Sequence, residues 1–170
     1  TREDYCPNGA CASAKIRQYM EVLGDFHSTR DQKAEALRFI VHMVGDIHQP
    51  LHAATNAGDR GGNLVKIMYK ARNAKLHAAW DTEFVKIGLR GQSEENYAKN
   101  LLSRFDAEVT SWQKGTPGRW VAESHEIAKK VTYGKLPGFA CQVEMTNEVI
   151  EIDDAYREEA AGIVASRITA

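Results

Sequence analysis

His42 to His52 read His-Met-Val-Gly-Asp-Ile-His-Gln-Pro-Leu-His. His42 and Asp46 stand four positions apart in an apolar run, so a helix would place both side chains on one face. Pro50 cannot continue the hydrogen-bond ladder of that helix, so the chain should leave it at 47–49 and bring His52 in from another direction. This stretch therefore predicts a helix that ends in a turn, with three polar side chains around one cleft.

A second pair with the same spacing, His77 and Asp81, follows 25 residues after His52. Imidazole and carboxylate ligands together suit zinc, which bonds to either at about 2.0 to 2.2 Å, better than they suit an all-oxygen calcium site. A lone His or Asp on a helix is more often solvated or hydrogen-bonded. Four of the six histidines nevertheless fall within residues 42–77. The two pairs together predict a zinc-type site built from His42, Asp46, His52, His77 and Asp81.

The other histidines receive different interpretations. His48 lies two residues past Asp46 on the expected turn, so it should point away from the metal. We expect His48 to hold a ligand or the turn in place through hydrogen bonds. His27 and His125 are interpreted as structural or solvated.

Composition limits the classes of function. The chain has 170 residues, of which 43% are apolar and 26% charged, as in an ordinary globular protein that forms one domain with a sizeable core. It has 22 basic and 23 acidic residues, and it has no run of Lys or Arg and no hydrophobic run of membrane length. This balance excludes the strong field of a duplex-DNA binder, so any phosphate binding would fall to a metal.

Helical periodicity dominates the chain. We predict helices at 12–23, at 31–46 with Ser28 or Thr29 as the capping residue, at 94–112, and from Pro117 to about 133. A last helix from about Thr146 should bury its apolar stripe, which comprises Val149, Ile152, Tyr156, Ala160, Ile163 and Val164.

One segment alternates as a strand does. Residues 63–69 predict a short hairpin arm that turns at Arg72-Asn73. The expected fold is therefore mainly α, a single helical domain with at most a short β-hairpin.

A glycine-containing loop, Asp59-Arg60-Gly61-Gly62-Asn63, separates the two ligand groups. Its glycines allow close backbone approach, and its Asn offers both a donor and an acceptor. The loop lacks the strand, lysine and helix of a P-loop, so a plain turn is the alternative interpretation.

Taken together, these motifs resemble the zinc-dependent single-strand nucleases and 3'-nucleotidases of fungi, plants and bacteria. The resemblance extends more weakly through Trp120, Glu123-Ser124 and the final helix, and it covers nearly the whole chain. It implies a mainly helical fold, of the type shared with zinc phospholipases C, that holds three zinc ions, two close together and one apart.

The resemblance also implies roles for individual residues. His52, His77 and Asp81 would hold the separate zinc, and His42 and Asp46 would hold one zinc of the pair. Asp46 would bridge to the other zinc of the pair and is the expected catalytic residue. In the nucleobase pocket, the contacts would come from Gly61 and Asn63.

The implied activity is hydrolysis of phosphodiester bonds in single-stranded DNA and RNA to products with 5'-phosphates, together with 3'-nucleotidase activity. The expected partners are these single strands and 3'-nucleotides, and the protein is expected to be a monomer without a membrane span.

The chain departs from the family pattern at its start. Family members begin with a Trp whose amine and carbonyl bind zinc, followed by a His, and later supply an Asp and another His. This chain opens Thr1-Arg2-Glu3-Asp4-Tyr5-Cys6. We therefore expect residues 1–170 to be one nuclease-like domain that lacks its N-terminal segment and the end of its last helix.

The cysteines bear on the cellular compartment. Cys6 and Cys11 enclose a four-residue turn, a loop short enough for a disulfide to close. By resemblance, Cys141 pairs with a cysteine upstream of Thr1. Three reduced thiols in a cytosolic protein are the alternative. With the zinc motif beside these cysteines, we expect a secreted or periplasmic protein.

Two other functions compete with the nuclease. Zinc phospholipases C share the fold and the first ligand motif, but their last ligand pair ends in Glu and follows sooner, and the Gly-Gly-Asn loop is not expected in them. The second is a non-catalytic zinc-stabilised helical protein or inactive fragment, because only the separate site has three protein ligands in this chain.

Overall fold

The computed structural model describes residues 6–144 and 148–170. Helices α1 (Ala12–Gly24) and α2 (Arg30–His48) pack against each other across a short loop. Thr29 begins α2 with a capping box, in which its hydroxyl accepts from Gln32 N and the Gln32 side chain accepts from Thr29 N. The predicted helix and its cap are confirmed.

The chain leaves α2 at His48, within the range 47–49 predicted from Pro50. Gln49 adopts an extended conformation before Pro50, and residues Pro50–His52 form one 3₁₀ turn. The side chains of Pro50 and Leu51 are buried, so this turn is anchored in the core before it presents His52.

A second helical run carries the other ligand pair. It consists of α3 (Leu76–Ala78), a π-helical turn (Ala79–Glu83) and α4 (Phe84–Leu89). Its buried face packs into the core through Leu76, Ala79, Trp80 and Phe84. Since Leu76 and Trp80 immediately precede His77 and Asp81, the buried row sets the direction of the ligand row beside it.

The predicted helix over 94–112 is wrong in one respect, because it is two helices. α5 (Glu94–Arg104) ends at Phe105, whose φ of −111° and ψ of 20° are not helical, and α6 (Asp106–Trp112) follows. The break lets the Phe105 ring pack on a small cluster of Tyr97, Leu101 and Ala165. The next helix is confirmed: α7 (Pro117–Ile127) continues through a π-helical turn, Ala128–Thr132.

The sheet is larger than predicted. β1 (Lys66–Tyr69) pairs antiparallel with β2 (Arg72–Lys75), and β3 (Ile150–Glu151) adds to β1 in parallel. The predicted turn at Arg72-Asn73 is wrong, since both residues belong to β2. The chain turns instead at Lys70 and Ala71, whose φ values of 45° and 63° suit the tight hairpin turn that matches strand twist.

The last helix, α8 (Asp154–Thr169), begins later than predicted. The predicted start at Thr146 lies outside the described residues, and Ile150 belongs to β3. Asp153 caps α8 by accepting a hydrogen bond from Tyr156 N at 2.8 Å. Of the predicted apolar stripe, Val149 is exposed and Ile163 is half-buried, while the remaining members are buried, namely Ile152, Tyr156, Ala160 and Val164.

The main core lies between the sheet, the run 76–89 and α8. Trp80 Nε1 donates to the Tyr156 hydroxyl at 3.2 Å, and that hydroxyl donates to Thr132 O at 2.7 Å. The buried polar atoms thereby tie three elements together. This mainly helical architecture confirms the predicted fold class.

Candidate metal centre

Three ligand-type side chains from two distant segments meet at the surface. Each of His52, His77 and Asp81 offers one atom, and these atoms lie within 4.8 Å of one another. His77 Nε2 is 3.4 Å from Asp81 Oδ2, and His52 Nε2 is 3.6 Å from Asp81 Oδ1. Ligand atoms at the corners of a zinc tetrahedron lie about 3.3 to 3.4 Å apart for bonds of about 2.0 to 2.1 Å. The two separations, each to a different oxygen of Asp81, are close to this value, and the donor types suit zinc.

The His77 ring is held in one orientation. Its Nδ1 lies 2.7 Å from the Gly61 carbonyl oxygen. Because a carbonyl oxygen only accepts, Nδ1 carries a proton in this contact, and Nε2, the nitrogen that faces Asp81, is the one left to bind a metal. The ring stacks on His52 with centroids 5.0 Å apart. This contact with Gly61 was not predicted from the sequence.

Asp81 is held by an amide that the sequence reasoning missed. Gln49 Nε2 donates to Asp81 Oδ1 at 2.7 Å, and the Gln49 side-chain oxygen accepts from Leu51 N. One side chain thus joins the turn that carries His52 to the helix that carries Asp81. The sequence did contain a hint of this contact, since Gln49 is a polar residue inside the ligand motif, directly before Pro50. Carboxylate ligands of metals usually have hydrogen-bond partners of their own.

The remaining predicted ligands extend the site. His42 Nε2 is 3.2 Å from Asp46 Oδ2, and His52 Nδ1 is 3.5 Å from Asp46 Oδ1. The two oxygens of Asp46 therefore face different imidazoles, an arrangement in which one carboxylate can bridge two ions. The structure brings all five predicted ligands into one row, in the order His42, Asp46, His52, Asp81 and His77.

The loop between the ligand groups depends on its glycines. Gly61 has φ +62°, and a Cβ there would lie 2.6 Å from the Leu51 carbonyl oxygen. Asn63 is exposed, and its Nδ2 donates to Arg60 O at 2.9 Å. The predicted contact of Gly61 and Asn63 with a nucleobase stays a prediction.

His48 is buried at the end of α2. Its Nδ1 lies 2.7 Å from Val44 O, and Arg167 Nε donates to the His48 carbonyl at 3.2 Å. Burial, as the main cause, lowers the pKa of this imidazole, which favours the neutral ring. These contacts are with helix backbone and with Arg167, and the predicted role in holding the turn stays a prediction.

An apolar cleft borders the site. A cavity of about 740 Å³ has Asp46, His52 and Asp81 on its wall. Most of its lining is aliphatic or aromatic and includes Ile40, Val41, Val44, Trp80, Val85 and Ile168. A ligand held at the carboxylates could therefore extend an apolar part along this cleft.

Fold and site define a mainly helical protein with a surface group of His and Asp side chains that could hold a metal ion. The model of the family described as S1/P1 Nuclease matches residues 1–170, and the chain belongs to that family. It is 31% identical over 138 residues to a Penicillium protein named Nuclease PA3 and 30% identical over 138 residues to Nuclease P1 of Penicillium citrinum. Each match covers 72% of this chain and 50% of the relative.

A plant relative is similar to the same degree. Endonuclease 1 of Arabidopsis thaliana is 31% identical over 150 residues, which cover 77% of this chain and 47% of that protein. The chain thus spans about half the length of the relatives it matches.

Proposed function

We propose that the protein containing this chain is a zinc-dependent endonuclease that hydrolyses phosphodiester bonds of single-stranded DNA and RNA to products with 5'-phosphates, and that it also acts as a 3'-nucleotidase. The observation that carries this proposal is the convergence of His52, His77 and Asp81 within 4.8 Å. Membership of the S1/P1 nuclease family supports it, as do relatives named as nucleases and endonucleases.

The proposed cofactor is Zn²⁺, with three ions in the whole protein. His52, His77 and Asp81 would hold the separate ion, and His42 and Asp46 would hold one ion of a pair. Asp46 would bridge that pair, and the remaining ligands would come from a segment outside this chain. When bound, zinc supplies Lewis acidity toward phosphoryl oxygens and lowers the pKa of a coordinated water to about 7.

The chain's own residues orient the site. The Gly61 carbonyl keeps a proton of His77 on Nδ1, so Nε2 stays available to bind the metal. Gln49 holds Asp81, and Asp46 directs its two oxygens toward His42 and His52. On the substrate side, Gly61 and Asn63 are proposed to contact a nucleobase beside the metal.

Charge supports a single-stranded substrate. The net charge of −1 gives no broad field for a duplex backbone, so binding would depend on the cleft itself. A flexible strand can bring one phosphate to the carboxylates, whereas a stacked duplex keeps its bases and backbone in a fixed helix.

The proposed location is outside the cytoplasm, either secreted or periplasmic, and the proposed state is a monomer. A disulfide between Cys6 and Cys11 supports the location, since such bonds persist in oxidising compartments. Cys141 is exposed and free among the described residues, and we propose that it pairs with a cysteine outside this chain. None of the helices in 6–144 and 148–170 combines the length and apolar character needed to cross a bilayer.

A cleavage assay tests the proposal. Single-stranded DNA and RNA should be cut by the full-length protein, cutting should stop in chelator and return with zinc, and the products should carry 5'-phosphates. His77→Ala should lose cleavage, whereas His27→Ala, which changes an exposed imidazole on the loop after α1, should retain it. Undiminished cleavage in chelator would overturn the zinc assignment.

A zinc phospholipase C is the second candidate, and the apolar cleft beside the carboxylates favours it. Turnover of phosphatidylcholine without cleavage of nucleic acid would support that function over the nuclease. A third outcome, zinc that raises the melting temperature of the protein without any turnover, would indicate a non-catalytic zinc-stabilised protein.

A further inference from the structure

A carboxylate that is not part of the ligand row lies buried behind it. Asp59 is only 7% exposed. Its Oδ2 accepts from the Tyr133 hydroxyl at 2.7 Å, and its Oδ1 accepts from Thr55 Oγ1 and Asn56 N, both at 3.0 Å. A buried carboxylate is costly unless it is hydrogen-bonded, and this one is bonded at both oxygens.

These bonds fix the loop that precedes β1. Thr55 Oγ1 also accepts from Gly61 N at 3.4 Å, and the Asp59 carbonyl accepts from Leu64 N at 3.1 Å. The Asn56 amide donates to Val143 O and accepts from residue 142 N, both at 2.8 Å. The loop is therefore held from several sides before it reaches Gly61.

The fixed end of this loop is the carbonyl that orients His77. Gly61 O lies 2.7 Å from His77 Nδ1, and Gly62 O accepts from His77 N at 3.4 Å. A shift of the loop would therefore move the acceptor that sets both the tautomer and the direction of the imidazole.

We infer that Tyr133 and Asp59 are positioning residues for the metal centre: their hydrogen bond holds the loop whose Gly61 carbonyl aims His77 Nε2 at the metal. This inference rests on the zinc site proposed above. It adds a supporting contact from Tyr133, the residue that follows the π-helical turn 128–132. Tyr133 and Asp59 lie 74 positions apart in the chain.

The competing explanation is that the pair only stabilises the core. Tyr156 provides a matched control, because its hydroxyl is also buried, donates to Thr132 O and accepts from Trp80 Nε1. In Tyr156→Phe the Trp80 ring stays held by its burial, at 1% exposure, and by its edge contact with Phe84, so Asp81 beside it keeps its direction. Phenylalanine at either position removes one buried hydroxyl and should lower stability, but only Tyr133→Phe releases the loop that holds Gly61.

The test is the zinc affinity of the full-length protein, measured by competition with a chromophoric chelator, together with the visible spectrum of the Co²⁺-loaded form. Tyr133→Phe should weaken zinc binding about 3- to 10-fold, less than the 10- to 100-fold typical of a residue bonded directly to a ligand. Its Co²⁺ bands should shift. Tyr156→Phe should stay within about twofold of the wild type at a similar loss of stability.

Each other outcome is informative. Unchanged affinity and spectrum in Tyr133→Phe would overturn the inference and leave the zinc site standing, as would an equal loss in Tyr156→Phe. His77→Ala tests the proposed zinc site itself, because zinc affinity unaffected by that change would overturn the site.

Discussion

The two His-x-x-x-Asp pairs of this protein have the same spacing and very different surroundings. The His77 side chain is 18% exposed, and both it and Asp81 have hydrogen-bond partners from other segments, Gly61 and Gln49. The His42 side chain is 73% exposed, and its ion-pair contact in the described part of the chain is Asp46, on the same helix. Spacing alone thus places ligands on one face, while hydrogen bonds from Gly61 and Gln49 additionally hold the His77/Asp81 pair in place.

The comparison is tested most strongly by changing one carboxylate in each pair. Asp81→Asn should weaken zinc binding at the three-ligand site by more than about 100-fold, because it removes a ligand and not merely a ligand's partner. Asp46→Asn should abolish cleavage with little loss of fold while that zinc is retained. The first effect is measured as the zinc content per chain after dialysis, and the second as the rate of cleavage of a single-stranded oligonucleotide. A fully active Asp46→Asn protein would contradict the assignment of Asp46.

Two glycine substitutions test the backbone next to each ligand pair, Gly61 next to His77 and Gly45 next to Asp46. Gly61→Ala should destabilise the protein by about 2 to 3 kcal/mol, since the left-handed backbone and the nearby Leu51 carbonyl both oppose a Cβ. Gly45→Ala, in α2 beside Asp46, meets open space and should stabilise by about 0.5 to 1 kcal/mol. Urea unfolding of both variants gives the two signs, and equal effects would remove the distinction.

A smaller effect is expected from the amide that supports Asp81. Gln49→Ala should weaken zinc binding about tenfold, because Asp81 would lose the donor that orients it. Gln18→Ala changes an exposed glutamine on α1 whose side chain accepts a hydrogen bond from Lys15 on the same helix, and it should leave affinity unchanged. Chelator competition measures both, and no loss in Gln49→Ala would show that Asp81 is oriented without it.

A last test concerns stability at alkaline pH on the side of Gly61, Asp59 and Tyr133. Burial, and then the hydrogen bond to Asp59, raise the pKa of the Tyr133 hydroxyl well above its ordinary value. The unfolded tyrosine releases its proton near pH 10, so above that pH the folded state holds more protons. This contribution is present in full below about pH 10 and is lost as pH rises beyond it, by at most roughly 1.4 kcal/mol per pH unit.

Urea unfolding across that range measures the slope. Tyr133→Phe should reduce it but not remove it, because burial also raises the pKa of Tyr156. His42→Ala, which changes the exposed histidine of the other ligand pair, should leave the slope unchanged. An identical slope in wild type and Tyr133→Phe would show that this hydroxyl does not contribute.

Elements with local signals were predictable. The capping box at Thr29 and the stop before Pro50 act within a few residues, and they set the bounds of α2 without help from the rest of the molecule. The ligand pairs were also predictable, since an i,i+4 spacing has one meaning on a helix.

Elements that depend on distant partners were not predictable. β3 forms where Ile150 pairs with Ile67, and the break after α5 coincides with the packing of Phe105 on a cluster that includes Ala165 of the last helix. The hairpin turn uses Lys70 and Ala71 in left-handed conformations, which non-glycine residues rarely adopt. The residue types therefore favoured a turn at Arg72-Asn73 instead.

The sequence by itself determined which side chains could bind a metal, because residue type and helical periodicity act over a few positions. Only the tertiary structure decided which of them are held ready. Gln49 reaches Asp81 across 32 positions, and Gly61 reaches His77 across 16. A hydrogen bond needs its two atoms within about 3 Å, and between segments so far apart only the packing of the whole chain achieves that distance.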